Sequence, residues 1–149
     1  MSRKRKVTLE YLSAGKAIDQ YGNETKESFA AVPESLLLSL SFQQLKNRQK
    51  LLVIYCLAKT YGHVKPCDDK SHPAYNLFKD RSDAFYISFD DVTSRYHLYS
   101  RKATADFYGD LKELEDHGLI KKLWSGRGHK VKSVYCFSRD WIEWIPEPP

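Results

Sequence analysis

The fold is decided by residues 85–137, which read FYISFDDVTSRYHLYSRKATADFYGDLKELEDHGLIKKLWSGRGHKVKSVYCF. This stretch begins with Phe85-Tyr86-Ile87, a short run of β-forming residues. Ser88 follows as a candidate helix N-cap, and Asp91 stands three residues later, as in a capping box. Apolar residues then recur at helical spacing, so this segment predicts a strand followed directly by a helix.

A second helix is predicted after a short turn at Leu98-Tyr99. Ser100 is its candidate N-cap, and the helix runs from Arg101 to about His117. Gly118 is expected at the C′ position, where glycine commonly ends a helix.

A β-hairpin completes the pattern. Residues 119–124 and 131–137 predict two strands, separated by a turn rich in glycine. Strand, helix, turn, helix and hairpin, after an earlier long helix, is the order of a winged helix-turn-helix. We therefore expect an α+β fold with a helix-turn-helix at residues 88–117 and a wing at residues 119–137.

The residues before this stretch predict a helix, a loop and an arm. Leu51 to Ala58 is apolar on every face, which predicts a helix that ends at Gly62 and is buried all round, either as the central helix of the fold or in a dimer interface. Residues 62–84 predict a solvated connecting loop. Residues 1–33 are polar and weakly patterned, so we expect a basic arm and a wrapping segment ahead of a winged-helix domain at residues 34–149.

A short aromatic tail, Trp141 to Ile145, is predicted near the C-terminal end. Its apolar residues have the spacing of an amphipathic element. Such an element docks either on its own domain or on a twofold partner, and the sequence leaves both alternatives open.

Charge is distributed unevenly along the chain, whose formal net charge is +5. Between Gly118 and Arg139 there are six Lys or Arg residues and no carboxylate, and Arg3 to Lys6 add four cations. The rest of the chain therefore carries a net charge of −5. An acidic body with two basic patches is typical of a protein that binds a polyanion.

The second predicted helix has two distinct faces. On a helical wheel, Ala103, Phe107, Leu111 and Leu114 share one narrow arc, which predicts the core face. The opposite face collects Arg101, Lys102, Ala105, Tyr108, Gly109 and Lys112. Small residues on that face permit a close approach to a groove of DNA.

The charges at the ends of this predicted helix oppose its dipole. Arg101 and Lys102 are expected in the first turn, where cations are unfavourable, and Glu115 and Asp116 in the last, where anions are unfavourable. This arrangement indicates that a requirement other than helix stability selected these residues, and docking on DNA is the simplest one.

Three groups of residues are the expected DNA contacts. The basic arm contributes Arg3, Lys4, Arg5 and Lys6. The second helix and its N-cap contribute Ser100, Arg101, Lys102, Thr104, Ala105, Tyr108 and Lys112. The wing contributes Arg127, His129, Lys130 and Lys132.

The sequence carries no catalytic or cofactor motif. It lacks a nucleophile elbow, an HExxH metal motif and a Walker loop, so we expect no enzyme activity, no catalytic residue and no cofactor. His63, Cys67, Asp69 and His72 match no standard zinc-ligand spacing, so we expect no metal site.

The compartment is predicted from cysteines and hydropathy. The three cysteines are widely spaced and form no CxxC, which is typical of a reduced cytosolic chain. No apolar run approaches the roughly 18 residues of a membrane span. No apolar region follows the basic N-terminus, as it would in a secretory signal. We therefore expect a cytoplasmic protein with no membrane partner.

Several motifs are similar to those of one known family. They are Phe29-x-x-Val32-Pro33, the helix with Leu51 to Tyr55, Phe85-Tyr86-Ile87, Leu111-x-x-Leu114-x-x-x-Gly118-Leu119-Ile120, Gly126-Arg127-Gly128 and Tyr135. Over about residues 29–137 they resemble the N-terminal winged-helix domain of Gram-positive plasmid replication initiators of the replication initiator A family. The resemblance implies a winged-helix fold and a role in DNA replication.

Two departures from that family modify the expected role. Such initiators usually continue into a C-terminal domain that this sequence does not contain, and residues 62–84 have their own character. We therefore expect a small regulator, or an accessory protein, of a plasmid, phage or conjugative element.

The sequence as a whole predicts a non-enzymatic protein that binds double-stranded DNA site-specifically. We expect it to act as a homodimer in transcription regulation or replication initiation, with a replication or transcription protein as a further partner. The alternative is a winged-helix protein-interaction module of a replication or partition assembly. The carboxylate-free wing favours DNA, because a module that binds only protein does not need it.

Overall fold

The computed structural model describes residues 8–13, 16–19, 21, 23–26, 31–60, 65–128 and 131–147, and the fold is α+β. The strands in these ranges are Thr8–Ser13 (β1), Lys16–Asp19 (β2), Glu24–Lys26 (β3), Ala84–Tyr86 (β4), Ile120–Trp124 (β5) and Val134–Phe137 (β6). The α-helices in these ranges are Glu34–Leu38 (α1), Leu40–Gln43 (α2), Asn47–Thr60 (α3), Tyr75–Phe78 (α4) and Thr104–Asp116 (α5). A π-helical segment at Asp91–Arg95 and a 3-10 segment at Asp140–Glu143 complete the elements.

The N-terminal region differs from its prediction. Strands β1, β2 and β3 form an antiparallel sheet in that order, where the sequence predicted only an arm and a wrapping segment. These strands are three to six residues long. Strands this short show little alternation of apolar and polar residues. Backbone hydrogen bonds stabilise them, and these bonds cannot be read from the amino-acid composition. Arg3 to Lys6 lie outside the described residues.

A second antiparallel sheet has the strand order β4-β6-β5. Phe85 of β4 pairs with Tyr135 of β6, and Ile120 of β5 pairs with Phe137. The returning strand is shorter than predicted, because it begins at Val134 rather than at residue 131. Just before β6, the Gly126 amide donates to Ser133 Oγ at 2.9 Å. In a continuous β-ladder a backbone carbonyl would accept this bond, so the ladder does not extend to Ser133.

The larger hydrophobic core lies between the helices and one face of this sheet. Helix α3 contributes Leu52, Val53 and Cys56, which are completely buried, and packs against α5 and β4. Within the chain itself the helix is not buried all round, because Leu51 is 44% exposed and Tyr55 is half-buried. Among the described residues, α3 packs on one side only, so burial of its other side in a dimer interface stays a prediction. Gly62, its predicted end, lies outside the described residues.

A smaller core covers the other face of the sheet. Ala74 and Phe78, in and beside α4, pack there against Ala84, Tyr86 and Val134. The prediction that residues 62–84 form a solvated loop is therefore wrong for this part of the segment. Its apolar pattern spans a single helical turn, which is too short to show amphipathic periodicity in the sequence.

The first helix of the predicted helix-turn-helix begins as expected. The Asp91 amide donates to Ser88 Oγ at 3.2 Å, and the Ser88 amide donates to Asp91 Oδ2 at 3.3 Å, which confirms the capping box. The helix then widens into the π-helical segment, where the Tyr96 amide donates to the Asp91 carbonyl at 3.0 Å.

Helix α5 begins three residues later than predicted. Its N-cap is Ala103, which makes no side-chain cap bond, so the prediction that Ser100 is the N-cap is wrong. The Ala103 amide donates to the Ser100 carbonyl at 3.0 Å, which folds Arg101 and Lys102 into a turn before the helix. The first turn of α5 instead carries an acidic residue, Asp106, as the helix dipole favours. The predicted conflict with the dipole therefore holds only at the C-terminal end.

Helix α5 ends as predicted. Gly118 has φ +73°, in the left-handed region that favours glycine. The Gly118 amide donates to the Glu115 carbonyl and the Leu119 amide to the Leu114 carbonyl, both at 3.0 Å. These two bonds form a Schellman motif, which turns the chain directly into β5.

The aromatic tail docks on its own chain. Trp141 packs against the larger core, and Trp144 stacks on His117 with ring centroids 4.2 Å apart. The Trp144 indole also donates to the Asp116 carbonyl at 3.0 Å. Ile142 and Ile145 face away from these contacts and are 62% and 76% exposed.

Candidate nucleic-acid interface

The two faces of α5 are those predicted from the helical wheel. Phe107, Leu111 and Leu114 are buried in the larger core. The predicted contact residues on the opposite face are exposed, namely Thr104, Ala105, Tyr108 and Lys112, and Arg101 and Lys102 are exposed in the preceding turn. A β-carbon added at Gly109 would meet no atom within 4 Å, so this face is open.

A buried carboxylate fixes the orientation of α5. Asp110 accepts hydrogen bonds from Arg48 Nε at 2.8 Å and Gln49 Nε2 at 3.0 Å, both on α3, and from the Tyr99 hydroxyl. Burial alone raises the pKa of Asp110, but the bonds from Tyr99, Arg48 and Gln49 outweigh it and hold that pKa below its usual range. Asp110 therefore joins α3, α5 and the turn before α5 through an ionised group.

A second set of bonds holds the C-terminal end of α5. The Ser41 hydroxyl donates to the His117 carbonyl at 2.7 Å, and His117 Nδ1 lies 2.8 Å from the Ser41 carbonyl. Both bonds are buried. Because α5 is held at Asp110 and at His117, its exposed face has a defined orientation relative to the rest of the domain.

The turn before α5 is also tied to its neighbours. Lys59 Nζ lies 3.4 Å from Asp91 Oδ2, and both side chains are largely buried. The rings of Tyr55 and Tyr96 stack with centroids 4.3 Å apart. Arg101 reaches back to Ser94, where its guanidinium donates to Oγ at 3.2 Å.

The hairpin loop between β5 and β6 bends on two glycines. Gly128 has φ +85°, and a β-carbon at Gly126 would lie 1.8 Å from the Val131 carbonyl oxygen, so neither position suits a larger residue. Arg127 stands exposed between them. The predicted wing contacts His129 and Lys130 lie outside the described residues.

A cleft of about 690 Å³ separates α5 from the hairpin. Tyr108 lines it from α5, and Lys122 and Arg127 line it from the hairpin. Lys122 Nζ lies 5.8 Å from the ring centre of Tyr135, which also lines the cleft. Thirteen of the described residues line the cleft and none of these is Asp or Glu, whereas Lys122, Arg127 and Lys132 are cations, so this lining is positively charged.

Two cations of the hairpin differ from their predicted roles. Lys132 lines the cleft, but its ammonium lies 5.9 Å from the ring centre of Tyr86, which belongs to the smaller core. Lys122 was not singled out as a contact, although it lies in the carboxylate-free stretch that the sequence analysis identified. Only the pairing of β5 with β6 reveals that Lys122 faces the cleft. Asp110 was also missed, because a charged residue beside a core stripe has no signature in the sequence.

His72 links the 65–83 segment to the hairpin loop. Its Nε2 lies 2.9 Å from the Lys132 carbonyl, and its Nδ1 accepts from the Ala74 amide at 3.1 Å. The His72 ring also lies 5.4 Å from that of Tyr86 and 5.0 Å from that of Trp124. An imidazole that accepts at Nδ1 carries its proton at Nε2, so His72 donates to the hairpin backbone.

The remaining chemistry of the described residues is limited. None of their His, Cys, Asp and Glu side chains gather in a group of three that could hold a metal ion. Cys56, Cys67 and Cys136 are free thiols, and burial raises the pKa of Cys56. In the part of the chain that the structure describes, no helix has the length and apolar character needed to cross a membrane. No protein-family model and no curated protein match this sequence, and no solved structure matches its fold.

Proposed function

We propose that this chain is a winged-helix protein that binds double-stranded DNA. The observation that carries the proposal is the shared cleft, where exposed Tyr108 of α5 and cationic Lys122 and Arg127 of the hairpin line one carboxylate-free surface. A duplex presents phosphates on both sides of its grooves, so a helix and a cationic loop side by side suit it.

The order of the elements supports the winged-helix interpretation. Helix α3, strand β4, the helical segment that begins at the Ser88 cap, α5 and the β5–β6 hairpin follow in this order, with the strand order β4-β6-β5. In this proposal α5 is the recognition helix in the major groove. The hairpin is the wing, and Arg127 contacts a phosphate or the minor groove.

The biological role follows from the resemblance to plasmid replication initiators. The protein acts in transcription regulation or replication initiation of a mobile element, in the cytoplasm. It binds as a homodimer. Two copies contact two half-sites of one DNA sequence, and this longer site gives a sequence specificity that a single recognition helix does not reach.

Selection from a random pool of duplexes tests the proposal. The full chain is expected to enrich a defined sequence, and fluorescence anisotropy is expected to show tighter binding to it than to random duplex. With about six phosphates neutralised, log K plotted against log salt falls with a slope of about −5. A chain that enriches no sequence and binds no duplex at low salt contradicts the proposal.

A charge-matched pair of variants separates the cleft from general positive charge. Lys122→Gln with Arg127→Gln is expected to make the slope shallower by roughly one to two units. Lys121→Gln with Arg139→Gln removes the same charge from exposed residues that do not line the cleft. The control pair is expected to keep the wild-type slope.

A protein-interaction module is the second candidate, and exposed apolar residues favour it. Leu38, Ile142 and Ile145 are 66%, 62% and 76% exposed, and α2, which follows α1, packs against the 3-10 segment that holds Ile142. A contiguous exposed apolar patch is typical of protein contacts. If the chain binds no duplex, and Leu38→Ser with Ile145→Ser abolishes its self-association or partner capture, this second function is favoured.

A further inference from the structure

The cleft between α5 and the hairpin has the dimensions of a small-ligand site. Its volume of about 690 Å³ lies inside the range of roughly 300–1,000 Å³ that such sites span. It lies between two elements that are each held by hydrogen bonds, α5 by Asp110 and the hairpin loop by His72. A ligand would therefore meet a largely preformed site.

Aromatic and apolar side chains line part of the cleft. Phe89, Tyr108 and Val131 contribute to it, whereas the lining residues Ile87 and Tyr135 are only 3% and 2% exposed. Tyr108 is 55% exposed, so one face of its ring remains accessible. Rings offset from one another stack favourably on a planar aromatic ligand. This part of the cleft suits a flat aromatic group.

Cations also line the cleft. The Lys122 ammonium lies 5.8 Å from the ring centre of Tyr135, at the cleft, and Arg127 stands at its rim. Lys132 does not contribute its charge to the cleft in the same way, because its ammonium lies over the ring of Tyr86, which belongs to the smaller core. The nearby carboxylate of Glu115 accepts from the Lys122 backbone amide at 3.1 Å and does not line the cleft. Two cations and no lining carboxylate suit an anion of charge near −2.

The glycine turn lets an anion approach the backbone. Gly128 lines the cleft, and a β-carbon there would meet no atom within 4 Å, so the backbone is open at this position. Gly126 is closed, because it packs against the Val131 carbonyl and its amide already donates to Ser133 Oγ. A phosphate group carries a charge of about −1.5 to −2 at neutral pH and has three strong acceptor oxygens. Such a group fits the Lys122 and Arg127 part of the cleft better than a single carboxylate does.

We infer that the cleft binds a mononucleotide, with its base against Phe89 and Tyr108 and its phosphate at Lys122 and Arg127. The ligand is a small molecule in its own right and not a residue of a DNA strand. It would occupy the surface beside Tyr108 and Arg127, two of the proposed DNA contacts. Nucleotide and duplex therefore exclude one another, and the nucleotide lowers the affinity of the chain for DNA.

Isothermal titration calorimetry with the full chain tests this inference. The probes are AMP, adenosine, which lacks the phosphate, and ribose 5-phosphate, which lacks the base. AMP is expected to bind about tenfold or more tightly than either fragment, because each fragment lacks one of the two kinds of contact. Equal binding of AMP and ribose 5-phosphate, or no binding of AMP at millimolar concentration, overturns the inference.

Two variants locate the site. Lys122→Gln with Arg127→Gln is expected to weaken AMP binding about tenfold or more, and Tyr108→Ala is expected to weaken it several-fold. Lys121→Gln with Arg139→Gln is the control for lost positive charge and is expected to bind AMP like the wild type. Thermal unfolding of each variant checks that it is folded. AMP binding that no cleft variant weakens overturns the inference.

The failure of this inference is distinguishable from the failure of the proposed function. If the chain binds duplex but not AMP, the cleft belongs to the duplex site alone, and only the inference falls. If the chain binds AMP but no duplex, the inference stands and the proposed function falls. When both bind, added AMP is expected to release fluorescent duplex from the wild type, and AMP that leaves the duplex bound contradicts the mutual exclusion.

Discussion

The hydroxyl oxygen of Tyr99 lies 2.5 Å from Oδ2 of Asp110, a carboxylate buried in α5. Tyr99 belongs to the turn that leads into α5, and the same carboxylate accepts from Arg48 of α3. Burial and the bond to Asp110 together raise the pKa of Tyr99, so the phenol stays protonated and remains a donor. One ionised group thus sets the position of α5 relative to the residues that precede it.

Replacing Asp110 by Asn is expected to lower the free energy of unfolding by about 1–3 kcal/mol. The amide keeps the size of the carboxylate but offers one acceptor oxygen to three donors, and hydrogen bonds to a charged group are the stronger kind. Urea unfolding at pH 7 measures the loss. Asp116→Asn, an exposed carboxylate in the last turn of α5, is the control and is expected to change stability by less than about 0.5 kcal/mol. Similar losses in both variants contradict the role of Asp110.

The pH dependence of that loss has a definite sign. The pKa of Asp110 is held below the ordinary value of about 3.9, so its contribution is fully present above that value. The contribution disappears as the pH falls through the folded-state pKa, where the carboxylate is protonated. The stability difference between wild type and Asp110→Asn is therefore expected to be constant from about pH 7 to 5 and to shrink below about pH 4. A difference that grows in acid contradicts this assignment.

Two glycines of the same helix region are expected to respond in opposite directions to alanine. A β-carbon at Gly118 would lie 2.7 Å from backbone atoms of Asp140 and Trp141, at φ +73°. Gly118→Ala is expected to destabilise by about 1–3 kcal/mol, because the backbone is strained and the tail must move. Gly109→Ala, which meets no atom within 4 Å inside α5, is expected to stabilise by roughly 0.5–1 kcal/mol. Thermal unfolding of both variants provides the comparison.

His72→Phe is expected to loosen the hairpin loop where it meets the 65–83 segment. The phenyl ring keeps the contacts with Tyr86 and Trp124, but the buried Ala74 amide loses its acceptor and the Lys132 carbonyl its partner. A loss of about 1–3 kcal/mol follows from such unpaired groups. Hydrogen exchange measured by NMR is expected to be faster at Ala74. The exposed Lys70→Ala control is expected to leave that amide unchanged.

Arg101→Ala is expected to reduce affinity for the selected DNA site by about 1–3 kcal/mol and affinity for random duplex much less. In the proposed complex Arg101 reads a guanine, whose O6 and N7 accept hydrogen bonds from two N–H groups of the guanidinium. Arg101 now donates to Ser94, so a Ser94→Ala variant tests whether loss of that bond alone has an effect. If Arg101→Ala leaves the ratio of specific to random binding unchanged, Arg101, in the turn before α5, does not read a base.

Deleting residues 1–6 is expected to weaken specific and random DNA binding by a similar factor. Arg3 to Lys6 lie outside the described residues, and the prediction depends only on four consecutive cations in the sequence. Flexible basic arms contact phosphates or the minor groove without reading much sequence. Binding at low salt measures the effect. Undiminished affinity for both duplexes contradicts a role for the arm.

Local patterns in the sequence predicted most of the domain between residues 85 and 137. The Ser88 capping box, the buried stripe Phe107–Leu111–Leu114 and the Gly118 helix end depend on residues within a turn or two of one another. Periodicity and capping chemistry report such local relationships directly. The predicted start of α5 differs from the observed start by three residues. Ser100 is a residue type that commonly caps helices, but here its carbonyl accepts the turn bond from the Ala103 amide and the helix begins later.

Only the tertiary structure decided the relationships between distant parts of the chain. Asp110 meets α3 across about sixty residues, and His72 meets the Lys132 carbonyl across 60. The cleft exists because β6 lies between β4 and β5, which brings Lys122 beside Tyr135 and opposite Tyr108. A single sequence reports spacing along the chain, whereas buried polar pairs and cavities arise from contacts that form only when the chain closes on itself. The amphipathic helix and its glycine end were therefore determined by the sequence, and the site beside them by the fold.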